Sequence, residues 1–266
     1  MGDDIYEVYA VRYGHSPRRS PENFIGGDTH DVPMPLDYFN WVIRNADRTI
    51  VVDTGFDAAS AAKRGRELVQ PVETGLRSLG IECSEVSDVI ITHMHYDHAG
   101  NDGLFPSACF HVQDVEMAYA TGRCMCHPLL NHPYDVDNVT AMVRRVFDGK
   151  ARFHDGTSEF SPGITLHRIG GHSRGLQVVR VKTARGHVVL ASDTAHFYAH
   201  LDRRRVFPTV DSVADVLEGY DTVLDLATSR DHVIPGHDPL VLDLYPTPDE
   251  RLRGSVARLD VAPRKS

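Results

Sequence analysis

The sequence predicts a layered α/β protein, and three observations lead there. Strand-like segments, alternating or β-branched, are interleaved with segments of helical period along the chain. Each half is rich in strands and closes on helices, the order expected of sheets covered by helices. Histidine and aspartate recur directly beyond the ends of strand-like runs, where loops held by a rigid scaffold carry chemistry.

In chain order, residues 7–13 and 39–44 alternate as half-buried strands do. The second runs through Asn45-Ala46-Asp47-Arg48 into the apolar run Thr49-Ile50-Val51-Val52, a hairpin that ends at Asp53-Thr54-Gly55. Residues 58–79 are helical in composition, but Pro71 lacks the N–H that a helix interior needs, so two helical pieces are expected. Residues 88–92 form a short β-branched run of the kind covered on both faces. After Phe110-His111-Val112 and a helix beginning at Asp114, residues 121–133 are irregular and rich in Cys, His and Pro, the character of a long functional loop. Residues 164–169, 177–182 and 187–191 read as strands, the last two joined by a turn at Ala184-Arg185-Gly186; residues 212–228 have helical period, and His232-Val233-Ile234 is a short strand. Thr247, Pro248 and Glu250 form a capping box that predicts a last helix. Periodicity alone does not name the topology.

Composition bounds the function. The 266 residues, 41% hydrophobic and 24% charged, suit a globular protein with a sizeable core, expected as a single domain over residues 1–266 with a flexible tail from about 260. Arginine and lysine number 28 against 37 acids, so the net charge of −9 disfavours a nucleic-acid or anionic-membrane partner and leaves a small-molecule ligand. The start, Met1-Gly2-Asp3-Asp4-Ile5, shows no secretory signal, Tyr6 breaks the myristoylation pattern, and no apolar run approaches a membrane span, so the cytoplasm is the expected compartment. Monomer and homodimer both remain open. Cys83, Cys109, Cys124 and Cys126 are too few and too irregular for a disulfide framework and are expected as free thiols.

The chemistry gathers in His93-Met94-His95-Tyr96-Asp97-His98, placed directly after a buried strand. Imidazole and carboxylate are the ligands of zinc and its neighbours, and a non-helical loop lets closely spaced residues face one centre. Turn chemistry alone has no use for repeated imidazoles. Gly170-Gly171-His172, Ser192-Asp193 and Pro235-Gly236-His237 repeat the context of a ligand-type residue beyond a strand.

These residues resemble the metallo-β-lactamase superfamily, whose H-x-H-x-D-H signature is met by His93, His95, Asp97 and His98, followed by His172, Asp193 and His237. Ala99-Gly100-Asn101 and Pro235-Gly236-His237-Asp238-Pro239 are similar to the N-acyl homoserine lactonase branch. The resemblance implies an αββα sandwich, two mixed β-sheets flanked by helices, with the site at one edge. It implies two divalent metal ions, zinc first with iron, manganese or cobalt acceptable: one held by His93, His95 and His172, the other by Asp97, His98 and His237, with Asp193 bridging. It further implies that Asp53 orients a ligand imidazole, as carboxylates beside metal-bound histidines do. Two departures bear on the substrate. Gly171-His172-Ser173-Arg174-Gly175-Leu176 keeps the ligand but lacks the Pro and second His of the branch's G-H-[TS]-P-G-H, and His196 stands where homoserine lactonases tend to carry a substrate-touching Tyr.

The activity so implied is opening of a lactone ring, an N-acyl homoserine lactone or a smaller one, by a hydroxide shared between the ions. Asp97 is expected to hold the nucleophile and pass a proton to the leaving oxygen, and His196 to donate to the developing oxyanion, with Tyr198 and His200 as rivals for that role. Phe24, Ile25, Cys126, His127 and Tyr134 are expected to shape the substrate pocket. A thioester hydrolase of the glyoxalase II type is the second reading, and a non-catalytic metal-binding module the third.

Overall fold

The computed structural model describes residues 4–264, whose strands assemble into two mixed sheets packed face to face. In the first, β1 (Glu7–Ser16), β2 (Leu36–Arg44) and β3 (Thr49–Val52) run antiparallel, and the short β4 (Glu67–Leu68) pairs with the end of β1. β5 (Asp88–Ile90), β6 (Cys109–Gln113) and β7 (Ala151–His154) extend that sheet in parallel. The second sheet is an antiparallel run of β8 (Thr157–Ser161), β9 (Ile164–Arg168), β10 (Gln177–Thr183) and β11 (Gly186–Ser192), with β12 (Val233–Pro235) parallel to β11. β13 (Val256–Arg258) returns to pair with β1.

The two-residue period of a strand decides what each face meets. Val8 and Ala10 of β1 point inward and, with Trp41, Ile43, Val52 and Ile90, pack on Leu166, Val179, Val181, Leu190 and Ile234 of the second sheet. Tyr9, Val11 and Tyr13 point outward. They join α1 (Ala58–Arg64), α2 (Val72–Arg77), α3 (Asp114–Ala120) and α5 (Val136–Phe147), which bury Ala61, Leu76, Met117 and Met142 there; the short α4 (Pro128–Asn131) precedes α5. The outer face of the second sheet carries α6 (Tyr198–Arg203) and α7 (Val213–Leu226) over Val178, Val189 and Val233, and α8 (Leu240–Leu244) sets Val241 into the core between the sheets. Helix, sheet, sheet, helix is the αββα sandwich. Among the described residues no helix is long and apolar enough to cross a membrane.

The interrupted helix at 58–79 is two, α1 ending at Gly65 in the left-handed conformation and α2 opening at Pro71. The helix expected after Thr247 is corrected: a single 3-10 turn, Glu250–Leu252, is capped by Asp249, and Gly254 at φ 75° redirects the chain into β13. Burial of Val256 and Ala257 against β1 outweighs the local capping signal. Asp260 is buried, and the Arg264 N–H donates to Leu244 O; residues 265 and 266 of the expected flexible tail lie outside the described residues.

Trp41 fills the middle of the sheet interface and is fully buried. Trp41→Ala should lower the unfolding free energy by about 3–5 kcal/mol, read from urea denaturation with the slope m unchanged. A loss under about 0.5 kcal/mol, the size of a surface substitution, would contradict a close-packed interface.

Candidate metal centre

The loops after β3, β5, β11 and β12 and the connection between β9 and β10 meet at one edge of the sandwich. Asp53 follows β3, the run 93–98 follows β5, His172 lies between β9 and β10, Asp193 follows β11 and His237 follows β12. All seven expected ligands are buried, and their ligand atoms group as His93, His95 and His172; His93, His98 and Asp193; and Asp97, His98 and His237.

Asp193 lies between these groups with its two oxygens facing different neighbours. Oδ2 is 3.2 Å from His172 Nε2 and 4.0 Å from His93 Nε2. Oδ1 is 3.0 Å from His237 Nε2 and 3.4 Å from His98 Nε2. Asp97 Oδ2 closes the second group at 3.8 Å from His98 Nε2 and 3.9 Å from His237 Nε2. Despite that proximity, His98 Nε2 and Asp193 Oδ1 are buried without a hydrogen-bond partner among the described residues. Orphaned polar atoms in a cluster of imidazoles and carboxylates are what a cation satisfies, so the donor set fits two divalent ions.

The far side of three of the rings is fixed. His98 Nδ1 meets Asp53 Oδ2 at 2.7 Å, His172 Nδ1 meets Thr209 O at 2.7 Å, and His237 Nδ1 meets Asp37 O at 2.9 Å. Each contact sets the tautomer that leaves Nε2 facing inward. Asp53 also accepts from the N–H and hydroxyl of Thr92. Asp53 (φ 64°) and Ser192 (φ 44°) occupy the left-handed region that non-glycine residues rarely adopt, and both aim site carboxylates, Asp53 its own and Ser192 that of Asp193.

Electrostatics divides the cluster. Burial, reinforced by neighbouring imidazoles, pushes His93 and His95 well below the usual histidine range, and burial lowers His172. Burial also opposes charge on His98 and His237, but the carboxylates beside them outweigh it and raise both. The first three therefore present lone pairs at neutral pH, as metal ligands must.

A cleft of about 90 Å³ opens over the cluster, floored by His95, Asp97, His172, Asp193, His196 and His237 and walled by Arg18, Leu36, Tyr38, Arg64, Arg66, Tyr96, His132, Pro133 and Thr209. A larger hollow of about 630 Å³ beside Tyr198 and Tyr245 contains none of the seven. His196 is buried, stacked on Phe207 with centroids 3.7 Å apart, and its Nε2 is 3.1 Å from Asp193 Oδ2. The other residues expected around the substrate lie outside this lining. Tyr134 stands behind His95, ring centroids 4.6 Å apart, and bonds Glu116. His200 is tied to Asn23 O, and Phe24 packs on His200. Tyr198 faces the larger hollow, while Ile25, Cys126 and His127 are exposed. All four cysteines are free.

Glu116 was not anticipated. Fully buried on α3, it accepts from Met94 N, Ser173 Oγ, Gly175 N and Tyr134 OH at 2.7–3.1 Å, joining the signature loop to the His172 loop. Burial raises its pKa, and these four donors oppose the rise. Gly175 is required by the contact, since a Cβ there would strike the Glu116 backbone. An acid in the first turn of a helix carries no sign in sequence of facing inward.

An αββα sandwich with His and Asp gathered at one sheet edge is an architecture of metal-dependent hydrolases. The metallo-beta-lactamase superfamily model matches residues 35–245, and the chain belongs to that superfamily. A probable metallo-hydrolase of Mycobacterium tuberculosis is 26% identical over 242 residues, 77% of this chain and 74% of its own. The N-acyl homoserine lactonase AttM of Rhizobium johnstonii is 26% identical over 239 residues, 80% of this chain and 84% of its own. A solved N-acyl homoserine lactone hydrolase, with N-hexanoyl-L-homoserine bound at its catalytic metal centre, shares the fold at TM-score 0.71 and 20% identity, covering 88% of this chain and 94% of that one.

Glu116→Gln places an amide N–H against a backbone N–H, that of Met94 or Gly175, whichever way the amide is turned. It should cost about 1–3 kcal/mol of stability and weaken metal binding about 10- to 100-fold, measured by denaturation and by competition with a chromogenic chelator. Unchanged metal affinity would show that Glu116 does not hold the two ligand loops.

Proposed function

We propose that this protein is a metal-dependent lactonase, a hydrolase that opens a cyclic ester. The observation that carries the reading is the division of the Asp193 carboxylate, one oxygen toward His93 and His172 and the other toward His98 and His237. His93, His95 and His172 would hold one divalent ion, Asp97, His98 and His237 a second, and Asp193 both; zinc is the first expectation, and iron, manganese or cobalt suit the same donors. Two such ions supply Lewis acidity and a lowered pKa for water. The activities of the lactonase relatives support an ester bond as the target.

The residues supply the rest. Asp97 borders the cleft floor beside His237, where its carboxylate can orient the attacking water, take its proton and deliver that proton to the ring oxygen as the acyl C–O bond breaks. His196 lines the cleft floor with Nε2 against Asp193 and Nδ1 without a partner, and its ring N–H, once metal ions took up the Asp193 oxygens, would be free to donate to oxygen charge developing at the carbonyl. Stacking on Phe207 holds the ring in that position at no cost in mobility during reaction.

The metal-loaded protein, offered N-acyl homoserine lactones, smaller lactones, linear esters and thioesters, should turn over a lactone. Turnover of thioesters alone would replace this reading with a thioesterase, and two bound ions with no turnover of any ester would leave a metal-binding module. His196→Ala should lower kcat about 10- to 1,000-fold with metal content intact. Undiminished kcat would remove His196 from the chemistry.

A further inference from the structure

The wall of the cleft has a charge that the molecule as a whole lacks. In a protein of net charge −9, many arginines sit against a carboxylate, as Arg174 does with Asp211, Arg204 with Asp221 and Arg230 with Asp202. Three arginines nevertheless line the small cleft over the centre. Arg64 is occupied: it pairs with Asp135 at 3.1 Å, donates to the carbonyls of His132 and Tyr134, and lies 4.0 Å over the Tyr96 ring.

Arg18 and Arg66 are different. Arg66 donates to Tyr96 OH and to Ser16 Oγ, each at 3.2 Å, and Arg18 reaches only Asn23 Oδ1 at 3.5 Å. Neither meets a carboxylate among the described residues, and a guanidinium carries five N–H donors in a planar fork, so most of their donors are uncommitted. Tyr96 relays this end of the cleft to the centre: its hydroxyl is 3.5 Å from Tyr38 OH, and the Tyr38 ring stands edge-on to His237 at 5.0 Å.

The opposite end has no arginine and is mixed in character, with Tyr119, His132, Thr209 and Asp211 beside aliphatic side chains. Beyond His95 and His172 the cleft continues into a hollow of about 70 Å³ walled by Leu129, Leu130, Pro208 and Val210. Both compartments fall well short of the roughly 300–1,000 Å³ that encloses a drug-sized ligand. A small substrate would therefore lie across the centre with its polar end at the arginines.

We infer that the cleft selects a small lactone bearing an oxyanion group, a carboxylate or a phosphate, which Arg18 and Arg66 grip at the Asp97 and His237 end. The bond that is broken rests on the lactonase reading, whereas the demand for an anion rests on the two guanidinium groups. Carboxylate and phosphate oxygens match the guanidinium fork, and such charge-assisted bonds are stronger than neutral ones. A basic cleft in an acidic protein also concentrates anions locally, an effect that salt screens.

The test compares kcat/KM of the metal-loaded protein on four probes: γ-butyrolactone with a carboxylate on the ring carbon beside the ring oxygen, the matching carboxamide, the matching phosphomethyl lactone, and N-hexanoyl homoserine lactone. One of the two anionic lactones should exceed the carboxamide at least tenfold, and which one does so identifies the oxyanion. Its KM should rise with salt while that of the carboxamide stays constant. R18Q and R66Q should each reduce the ratio of anionic to neutral lactone about ten- to hundredfold, through KM, with R66K retaining part of the preference. Arg18 makes no buried hydrogen bond that folding needs, so R18Q keeps the test decisive should R66Q misfold. Equal rates on the anion and the carboxamide, a preference for N-hexanoyl homoserine lactone, or a ratio untouched by either substitution would overturn the inference while leaving a lactonase. Should no lactone be opened, the lactonase reading fails, and calorimetry with the carboxylate lactone decides: binding that R18Q abolishes upholds the anion site, and absence of binding overturns it.

Discussion

The interaction on which the rest of the site depends is the sharing of one buried carboxylate between two sets of imidazoles. Burial alone would strip the charge from Asp193 and from every histidine around it, because a charged group in a dry interior is costly unless it is compensated. Yet His237, His98, His196 and His172 together hold Asp193 well below the usual carboxylate range despite its burial. The inward-facing atoms His98 Nε2 and Asp193 Oδ1 lack hydrogen-bond partners among the described residues, the condition a cation would relieve.

The sandwich holds that arrangement still. Strand ends place Asp53, the signature loop, Asp193 and His237, and contacts from Asp53, Thr209 and Asp37 orient three of the rings. Thr92 ties the two halves by bonding both Asp53 and Ser192. The walls of the cleft come from elsewhere: the turn after β1 brings Arg18, the end of α1 brings Arg64 and Arg66, and the segment after α4 brings His132 and Pro133. Rigid strand ends carry the candidate centre, and in the proposed reading the loops around it, which can vary without disturbing it, would carry selectivity, a division that lets one fold serve many substrates.

How much of this could be read from sequence follows the same division. The runs at 88–92 and 187–191 read as strands from their apolar, β-branched composition, and the candidate ligands stand directly after such runs, so the gathering of all seven with Asp53 at one edge was legible as an expectation. The amphipathic helix at 136–147 carries its apolar residues among charges and was passed over, and the β13 edge strand was hidden behind a good capping box. Arg18, Arg66 and Glu116 were invisible for a physical reason: nothing local distinguishes a charged side chain that faces a cleft or core from one that faces water. Phe24, Cys126, His127, Tyr198 and His200 failed to line the cleft for the converse reason, since proximity in sequence to a ligand or loop does not fix the direction of a side chain.

The most direct measurement is elemental analysis of the purified, unchelated protein together with a calorimetric titration of the stripped protein with Zn²⁺. The account predicts two equivalents of divalent metal per chain in the wild type and loss of both sites' affinity in Asp193→Ala, the residue common to the two nests. A metal-free protein that takes up no ion, or a variant that still binds two ions as tightly as the parent, would contradict it.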